Sequence, residues 1–89
     1  MAEISSGRPY VDNGDIREFD VTLSQEEYVW HRDFGDRKIE ILSGQGWQLQ
    51  YEGCLPTLLQ EGRCYFIPDM EYHRLIKGES DLIIKMYKY

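Results

Sequence analysis

Short alternating segments separated by turn residues run through most of this sequence, and they constrain its fold more than any other feature. In residues 47–52, Trp47, Leu49 and Tyr51 alternate with polar residues, as in a strand with one buried face. No period of 3.6 residues continues far enough for a long helix, and we expect one helical turn at most, near residues 24–27. The pattern predicts eight short strands, over residues 16–23, 28–34, 37–43, 47–52, 57–59, 63–67, 73–76 and 81–87. This spacing predicts an all-β fold, a small antiparallel β-barrel or sandwich.

The first 15 residues lack this alternation. They are polar and interrupted by Gly7, Pro9 and Gly14, so residues 1–15 are predicted to form an irregular N-terminal arm. Residues 16–89 are predicted to form one domain, because a chain of 89 residues suits a single hydrophobic core. A core this small leaves a thin stability margin, which favours a homodimer.

The charge of the chain excludes two classes of partner. The formal net charge is −6, from 16 acidic and 10 basic residues. Such a chain repels phosphate backbones and anionic lipids, so we expect neither nucleic acid nor a membrane as a partner. We see no apolar signal core and no run of about 18 apolar residues, and therefore expect a cytoplasmic protein. Cys54 and Cys64 are expected to be reduced thiols, because small secreted domains usually carry more cysteines.

Two histidines and an aspartate are the candidate metal ligands. His31 and Asp33 are two residues apart, so a strand would point both side chains to the same face. His73 approaches them if its strand neighbours theirs, and the interior of a small barrel provides a shaped cavity. Two imidazoles and one carboxylate suit iron(II) with open coordination positions, and zinc, manganese and nickel are further candidates.

The spacing of several glycines, histidines and a proline resembles the two sequence motifs of the cupin family. His31 falls on the first histidine of the first motif and Gly44 on its closing glycine. Gly62, Pro68 and His73 match the second motif at the same spacings. The resemblance covers residues 28–86, and residues 68–78 are also similar, more weakly, to the cupin domain of mannose-phosphate isomerase/guanylyltransferase proteins. It implies a cupin-type jelly roll that holds a divalent metal and a small-molecule ligand inside the barrel.

Five motif positions depart from the cupin pattern, and the opening glycine of the first motif is one of them, since it is absent. Asp33 stands where the family has its second histidine, and Arg37 stands where it has a glutamate ligand. Met70 replaces a glycine, and Lys77 replaces the terminal asparagine. Arg37 cannot bind a metal, because a guanidinium has no lone pair to donate. Two readings stay open: Asp33 is a ligand while Arg37 binds an anionic group of the substrate, or the two residues pair and the barrel holds no ion.

Trp47 and Tyr65 complete the predicted site as substrate-binding residues, with packing in the core as the alternative for both. Trp30 and Tyr28 are expected on the face opposite to His31, as outer packing or as a subunit interface. The predicted function is a metal-dependent enzyme that acts on a small polar or anionic molecule. The resemblance to cupins implies an isomerase or an oxygenase, and the weaker similarity of residues 68–78 implies a sugar or a sugar phosphate as one candidate substrate. The alternatives are a non-catalytic binding or sensing module and a structural homodimer with a degenerate metal site.

Overall fold

Two antiparallel sheets form the architecture of this chain, seen in a computed structural model that describes residues 9–89. In chain order the strands are β1 (Tyr10–Asn13), β2 (Ile16–Phe19), β3 (Arg37–Ser43), β4 (Gln48–Tyr51), β5 (Thr57–Leu58), β6 (Cys64–Ile67), β7 (His73–Ile76) and β8 (Leu82–Lys88). The larger sheet has the order β1–β2–β8–β3–β6, and the smaller sheet has the order β5–β4–β7. A short 3₁₀ turn, Gln25–Glu27, lies between β2 and β3. The predicted all-β class is confirmed.

The inner face of the larger sheet supplies most of the core. Residues alternate along β3 and β8, and their register places Ile39 opposite Met86 and Ile41 opposite Ile84. All four side chains are buried. Burial of this apolar surface is the main force that holds the two sheets together. The other buried hydrophobic residues are Phe19, Tyr28, Trp47, Leu49, Leu59, Ile67 and Leu82.

The smaller sheet aims His73 into the space between the sheets. β4 pairs with β7 so that Leu49 lies opposite Leu75 and Tyr51 lies opposite His73. Leu49 is a core residue and Leu75 packs against that core. Because side chains alternate along a strand, His73 shares the inward face of Leu75, and its side chain is buried.

The chain between β2 and β3 differs from the prediction. A strand was predicted over residues 28–34, and this prediction is wrong: within that range the structure assigns His31 alone to a bridge, with His73. We call residues 20–36 the strap. It crosses the edge of β7 without continuous strand pairing, so the alternation of residues 28–34 does not describe its side chains.

Side-chain hydrogen bonds replace strand pairing in the strap. The amide of Gln25 donates to the Leu75 carbonyl (2.9 Å) and accepts the N–H of Lys77 (2.7 Å), as the backbone of a neighbouring strand would. Tyr28 was expected to face outward, but it is a core residue whose hydroxyl donates to the carbonyl of Asp20. The irregular backbone turns this ring inward, where its burial adds to the core.

The predicted irregular arm is also corrected in part. Tyr10–Asn13 form a strand that pairs antiparallel with β2. Gly14, with φ +66°, begins the tight turn that joins the two strands, and this backbone conformation favours glycine. Residues 1–8 of the predicted arm lie outside the described residues. The single domain over residues 16–89 stays a prediction.

The outer surface holds three of the residues that the sequence singled out. Trp30 stacks on Tyr72 with ring centroids 5.5 Å apart, and the guanidinium of Arg74 lies 4.8 Å from the Trp30 ring. Trp30 therefore packs within its own chain, one of the two expected roles. Cys54 and Cys64 are exposed free thiols. Within residues 9–89, no helix has both the length and the hydropathy of a membrane span.

Candidate metal centre

The structure brings the three predicted ligands, His31, Asp33 and His73, to one point. The Oδ2 atom of Asp33 lies 3.4 Å from the Nε2 atom of His31 and 3.4 Å from that of His73. One donor atom from each residue lies within 4.8 Å of the other two. Donor atoms bound about 2.0–2.2 Å from one ion lie about 3.0–3.6 Å apart at tetrahedral or octahedral angles. The two distances from Asp33 therefore fit a single metal ion, and the donor atoms of the two histidines lie within 4.8 Å of each other.

Backbone hydrogen bonds hold two of these residues together. The N–H of His31 donates to the carbonyl of His73, and the N–H of His73 donates to the carbonyl of His31, both at 2.9 Å. This closed pair places the two imidazole centroids 4.3 Å apart. Asp33 follows on the strap, where its carbonyl accepts the N–H of Met70 at 2.8 Å. The strap thus supplies two donors, and the first residue of β7 supplies the third.

The two histidines share one tautomer. The Nδ1 atom of His31 lies 2.9 Å from the carbonyl oxygen of Val29, and the Nδ1 atom of His73 lies 2.7 Å from that of Glu71. A carbonyl oxygen only accepts, so each Nδ1 carries the hydrogen and donates it. In the neutral imidazole, the lone pair is then on Nε2, the atom that faces Asp33. Metal-binding histidines are commonly oriented by such a hydrogen bond from the other ring nitrogen.

The carboxylate of Asp33 dominates the electrostatics of this cluster. Hydrogen bonding to His31 and His73 holds the pKa of Asp33 well below its usual range. The same contact raises the pKa of His31, against the opposing effect of its partial burial. An ionised carboxylate that faces two nitrogen lone pairs requires a positive charge between them. A proton or a metal ion meets that requirement.

The cluster lies beside a cavity of about 250 Å³. Residues of both sheets and of the strap line this cavity, and most of its wall is apolar. The side chain of His73 is 5% exposed, that of Asp33 27% and that of His31 43%, so the cluster runs from the cavity interior toward solvent. Chief among the apolar wall residues are Ile39, Leu49, Ile67, Leu75, Ile84 and Met86.

Arg37 also lines the cavity and lies next to the cluster. Its Nη1 atom is 3.8 Å from Oδ2 of Asp33, which is too long for a hydrogen bond. Nη1 has a weak contact with the sulfur of Met86 at 3.6 Å, and Nη2 lies 3.4 Å from the carbonyl of Phe34. The buried Nε atom of Arg37 has no hydrogen-bond partner among the described residues. The guanidinium is therefore only loosely engaged.

Trp47 and Tyr65, the other two predicted substrate-binding residues, do not line this cavity. Trp47 is fully buried in the core, and its indole N–H donates to the carbonyl of Ser80 at 2.5 Å. The hydroxyl of Tyr65 accepts the N–H of Gln60 at 2.9 Å and donates to the carbonyl of Leu58 at 3.3 Å. Both rings pack within the chain, Trp47 in the core and Tyr65 against it, and their role in substrate binding stays a prediction.

The sequence reasoning missed the apolar wall as part of the site. Leu75 lies two residues after His73 on β7, and Ile39 lies two residues after Arg37 on β3, so each shares an inward face with a candidate site residue. Met86 lies on the inward face of β8, opposite Ile39. The period of two along each strand was the available signal for these residues.

Solved structures share this fold. The crystal structure of DMSP lyase DddQ from Ruegeria pomeroyi DSS-3 has a TM-score of 0.67 and 20% sequence identity. The match covers 80% of this chain but 34% of that chain, so this chain spans about a third of the length of that lyase. No family model and no curated protein sequence matches the chain.

Two smaller proteins match over most of both chains. A cupin domain from Bordetella pertussis Tohama I has a TM-score of 0.58 and 18% identity, over 88% of this chain and 84% of its own. A cupin-2 domain containing protein from Shewanella frigidimarina NCIMB 400 has a TM-score of 0.57 and 20% identity, over 89% and 76%. At such identities the likeness shows the fold. The resemblance to cupins is confirmed at that level, and this chain has the cupin fold.

Proposed function

We propose that His31, Asp33 and His73 hold one divalent metal ion, and that a small molecule binds in the cavity beside it. The observation that carries this function is the shared orientation of the two imidazoles. Both Nδ1–H groups are engaged by carbonyl oxygens, and both Nε2 atoms face the same oxygen of Asp33. A site that already orients three donors loses little conformational freedom when it binds an ion.

The chemistry of the donors fits a first-row metal ion. Two imidazole nitrogens and one carboxylate oxygen suit iron, manganese, nickel or zinc, and three protein ligands leave coordination positions open for a substrate or water. When bound, such an ion polarises an oxygen of its ligand or, as iron, activates oxygen. The residues of this chain would orient the ligand and exclude water through the apolar wall of the cavity. Isomerisation and oxygenation are the reaction classes that we propose.

One contact favours a second candidate function, a non-catalytic binding module without an ion. Arg37 lies 3.8 Å from Asp33, close enough to neutralise part of its charge, and a protonated His31 would supply the rest. In that case the cavity would bind a small molecule without metal chemistry. The distance of 3.8 Å is longer than that of a direct Arg–carboxylate hydrogen bond, and for this reason we place the metal site first.

The partners that we propose follow from the cavity and the charge. A cavity of about 250 Å³ suits a small molecule. The net charge of −6 disfavours nucleic acid and anionic lipid surfaces. The homodimer and the cytoplasmic location stay predictions, and sedimentation of the purified protein tests the first of them.

Metal analysis tests this function. The protein is purified without a metal-affinity tag, and bound iron, manganese, nickel and zinc are measured per chain for wild type and for His73→Ala. We expect about one equivalent in wild type and a loss of at least about tenfold in affinity in the variant. Glu18→Gln, which removes an exposed carboxylate on β2, is the control and should bind as wild type does. A wild-type protein that binds no ion at micromolar concentrations would contradict the metal site and favour the binding module.

A further inference from the structure

The guanidinium of Arg37 is buried without an adequate partner. Its side chain is 12% exposed, and the nearest carboxylate oxygen recorded in the described chain is Asp33 Oδ2, at 3.8 Å. The Nε–H group is buried and has no acceptor among the described residues, while the two Nη contacts are long. A buried cation without a bonded anion is destabilising, so this arrangement is explained best by an absent anionic ligand.

A bound metal ion would increase the need for an anion near Arg37. Asp33 carries the one negative charge of the cluster, and in the proposed site that charge neutralises part of the ion. The two imidazoles are neutral, because their Nε2 lone pairs face the ion position. The +2 ion and the Arg37 guanidinium together then exceed the single charge of Asp33. Glu27 also lines the cavity, but no ion pair between it and Arg37 is recorded, so an anionic group from outside the chain would complete the balance.

The shape of the guanidinium selects the kind of anion. Its two Nη groups carry parallel N–H bonds, and this fork matches the two oxygens of a carboxylate, whereas Nε is enclosed by protein atoms. The other arginine at the cavity, Arg17, is already engaged: its Nε atom donates to Asp12 at 2.7 Å and its guanidinium lies 3.7 Å from the Tyr10 ring. Among residues 9–89, Arg37 is therefore the cavity arginine that can bind a ligand from within the cavity.

The wall of the cavity determines whether the part of the ligand beyond its anionic group is polar or apolar. Apart from the ligand cluster, Arg17, Glu27 and the rings of Tyr10, Phe19 and Tyr28, the lining around Arg37 consists of aliphatic and thioether side chains, with Ile67 opposite Arg37 on β6 and Met86 in contact with it. These groups offer no hydrogen bonds to a hydroxyl-rich molecule, and burying unpaired hydroxyls is costly. A sugar phosphate, suggested by the weaker similarity of residues 68–78, fits this wall poorly.

We infer, building on the metal site proposed above, that the ligand is a small carboxylic acid with an apolar body. Its carboxylate is bound by the fork of Arg37, and its body packs against the aliphatic wall. His31, Asp33 and His73 would hold the ion near the carboxylate end of the ligand, because Arg37 and Asp33 are neighbours on the cavity wall.

Matched small molecules test, on the wild-type protein, whether the ligand binds through a carboxylate. Calorimetry measures the affinities of 3-methylbutanoate, its isosteric amide 3-methylbutanamide, and glucose 6-phosphate for the zinc-loaded protein. We expect the acid to bind at least about tenfold more tightly than the amide and than the sugar phosphate. Equal affinities for acid and amide, or tighter binding of glucose 6-phosphate, would overturn the inference.

Two variants then assign the preference to Arg37. In Arg37→Met the preference for acid over amide should disappear, and in Arg63→Met, which changes an exposed arginine outside the cavity, it should persist. Arg37→Lys keeps the charge without the fork and should retain only part of the preference. A preference that survives in Arg37→Met would place the carboxylate on the ion and not on the guanidinium, which contradicts the assignment.

Bound zinc is measured on the same samples. A failure of the metal site can then be distinguished from a failure of the carboxylate assignment. A protein that binds no zinc overturns the metal site, and the acid and amide are then compared in the metal-free protein. There, an Arg37-dependent preference keeps the carboxylate assignment, and its absence overturns that assignment too. A zinc-loaded protein that binds acid and amide equally loses the carboxylate assignment alone.

Discussion

His31 and His73 exchange two backbone hydrogen bonds of 2.9 Å, and this single bridge sets the geometry of the candidate metal centre. It brings a residue of the irregular strap and the first residue of β7 into register, with imidazole centroids 4.3 Å apart. The positions of both donors therefore depend on how firmly the strap is attached to β7. Substitutions in the strap, in the loops next to it and in the core beneath it test that attachment.

Gln25 should stabilise the attachment of the strap. Gln25→Ala removes the side-chain bonds to the Leu75 carbonyl and the Lys77 N–H and leaves both edge groups of β7 unpaired. We expect the free energy of unfolding to fall by about 1–3 kcal/mol in urea denaturation. Gln60→Ala, at an exposed glutamine, is the control and should change it by less than about 0.5 kcal/mol. Equal stability of the two variants would show that the Gln25 bonds do not hold the strap.

Asp69 should position Asp33 without binding the metal. Its carboxylate accepts the N–H of Gly35 at 2.6 Å, and its own N–H donates to the carboxylate of Asp36 at 2.8 Å. Asp69→Ala loosens the loop that carries Asp33, and we expect zinc affinity to fall about tenfold. Glu61→Ala removes a comparable bond, to the N–H of Gly44 at 3.1 Å, which involves neither the strap nor the ligand cluster. If both variants weaken zinc binding equally in a competition titration, the positioning role of Asp69 is wrong.

Gly78 should be required for steric reasons. A Cβ atom at this position would overlap the carbonyl oxygen of Gln45 and lie 2.6 Å from the backbone nitrogen of Trp47. Gly78→Ala should therefore cost about 3 kcal/mol or more, because neither backbone atom can move without disturbing the core. At Gly53 a Cβ meets no atom within 4 Å, and only its φ of +79° opposes substitution. Gly53→Ala should cost about 1–2 kcal/mol, and equal losses in thermal unfolding would contradict the steric explanation.

Tyr28 should make stability fall at alkaline pH. Burial raises the pKa of Tyr28 above its ordinary value near 10, and the charges of Asp20 and Asp81 add to this effect. Below about pH 10 the ring is protonated in both states, so its contribution is fully present there. As the pH rises further, the unfolded chain ionises first, and stability is lost until the pH reaches the folded pKa.

Tyr28→Phe removes this titration. We expect the variant to lose less stability than wild type between about pH 9 and 11, measured by urea denaturation at each pH. At neutral pH the variant should be about 1 kcal/mol less stable, because the bond to the Asp20 carbonyl is lost. Tyr89→Phe changes an exposed ring and should keep the wild-type pH dependence. A pH dependence in Tyr28→Phe identical to that of wild type would refute the role of Tyr28.

The faces of the regular strands were predictable from the sequence. The period of two correctly grouped Leu82, Ile84 and Met86 on β8, and the same period grouped Ile39 with Ile41 on β3. All of these residues are buried. The period works here because β3 pairs regularly with β8 from Arg37 to Ile41, before a register shift near Ser43, and regular pairing leaves each side chain two choices of face.

The strap and the first hairpin were not predictable in this way. The strap satisfies its backbone through side chains such as Gln25 and Tyr28, and such contacts join residues far apart in the sequence. β1 was missed because Gly14 was read as a mark of irregular chain, when it begins a tight turn. Trp47 shares the inward face of Leu49, and a period of two cannot tell a cavity wall from the packed core.

Nitrogen-15 NMR of the histidine side chains tests the metal site most directly, because the chain contains two histidines and both belong to the cluster. Zinc is added stepwise to protein with labelled imidazoles. The geometry predicts that the Nε2 signals of His31 and His73 shift together and reach completion at one equivalent, while both Nδ1 nitrogens keep their hydrogens. A response of one imidazole alone, or of an Nδ1 nitrogen in place of Nε2, would contradict the shared site.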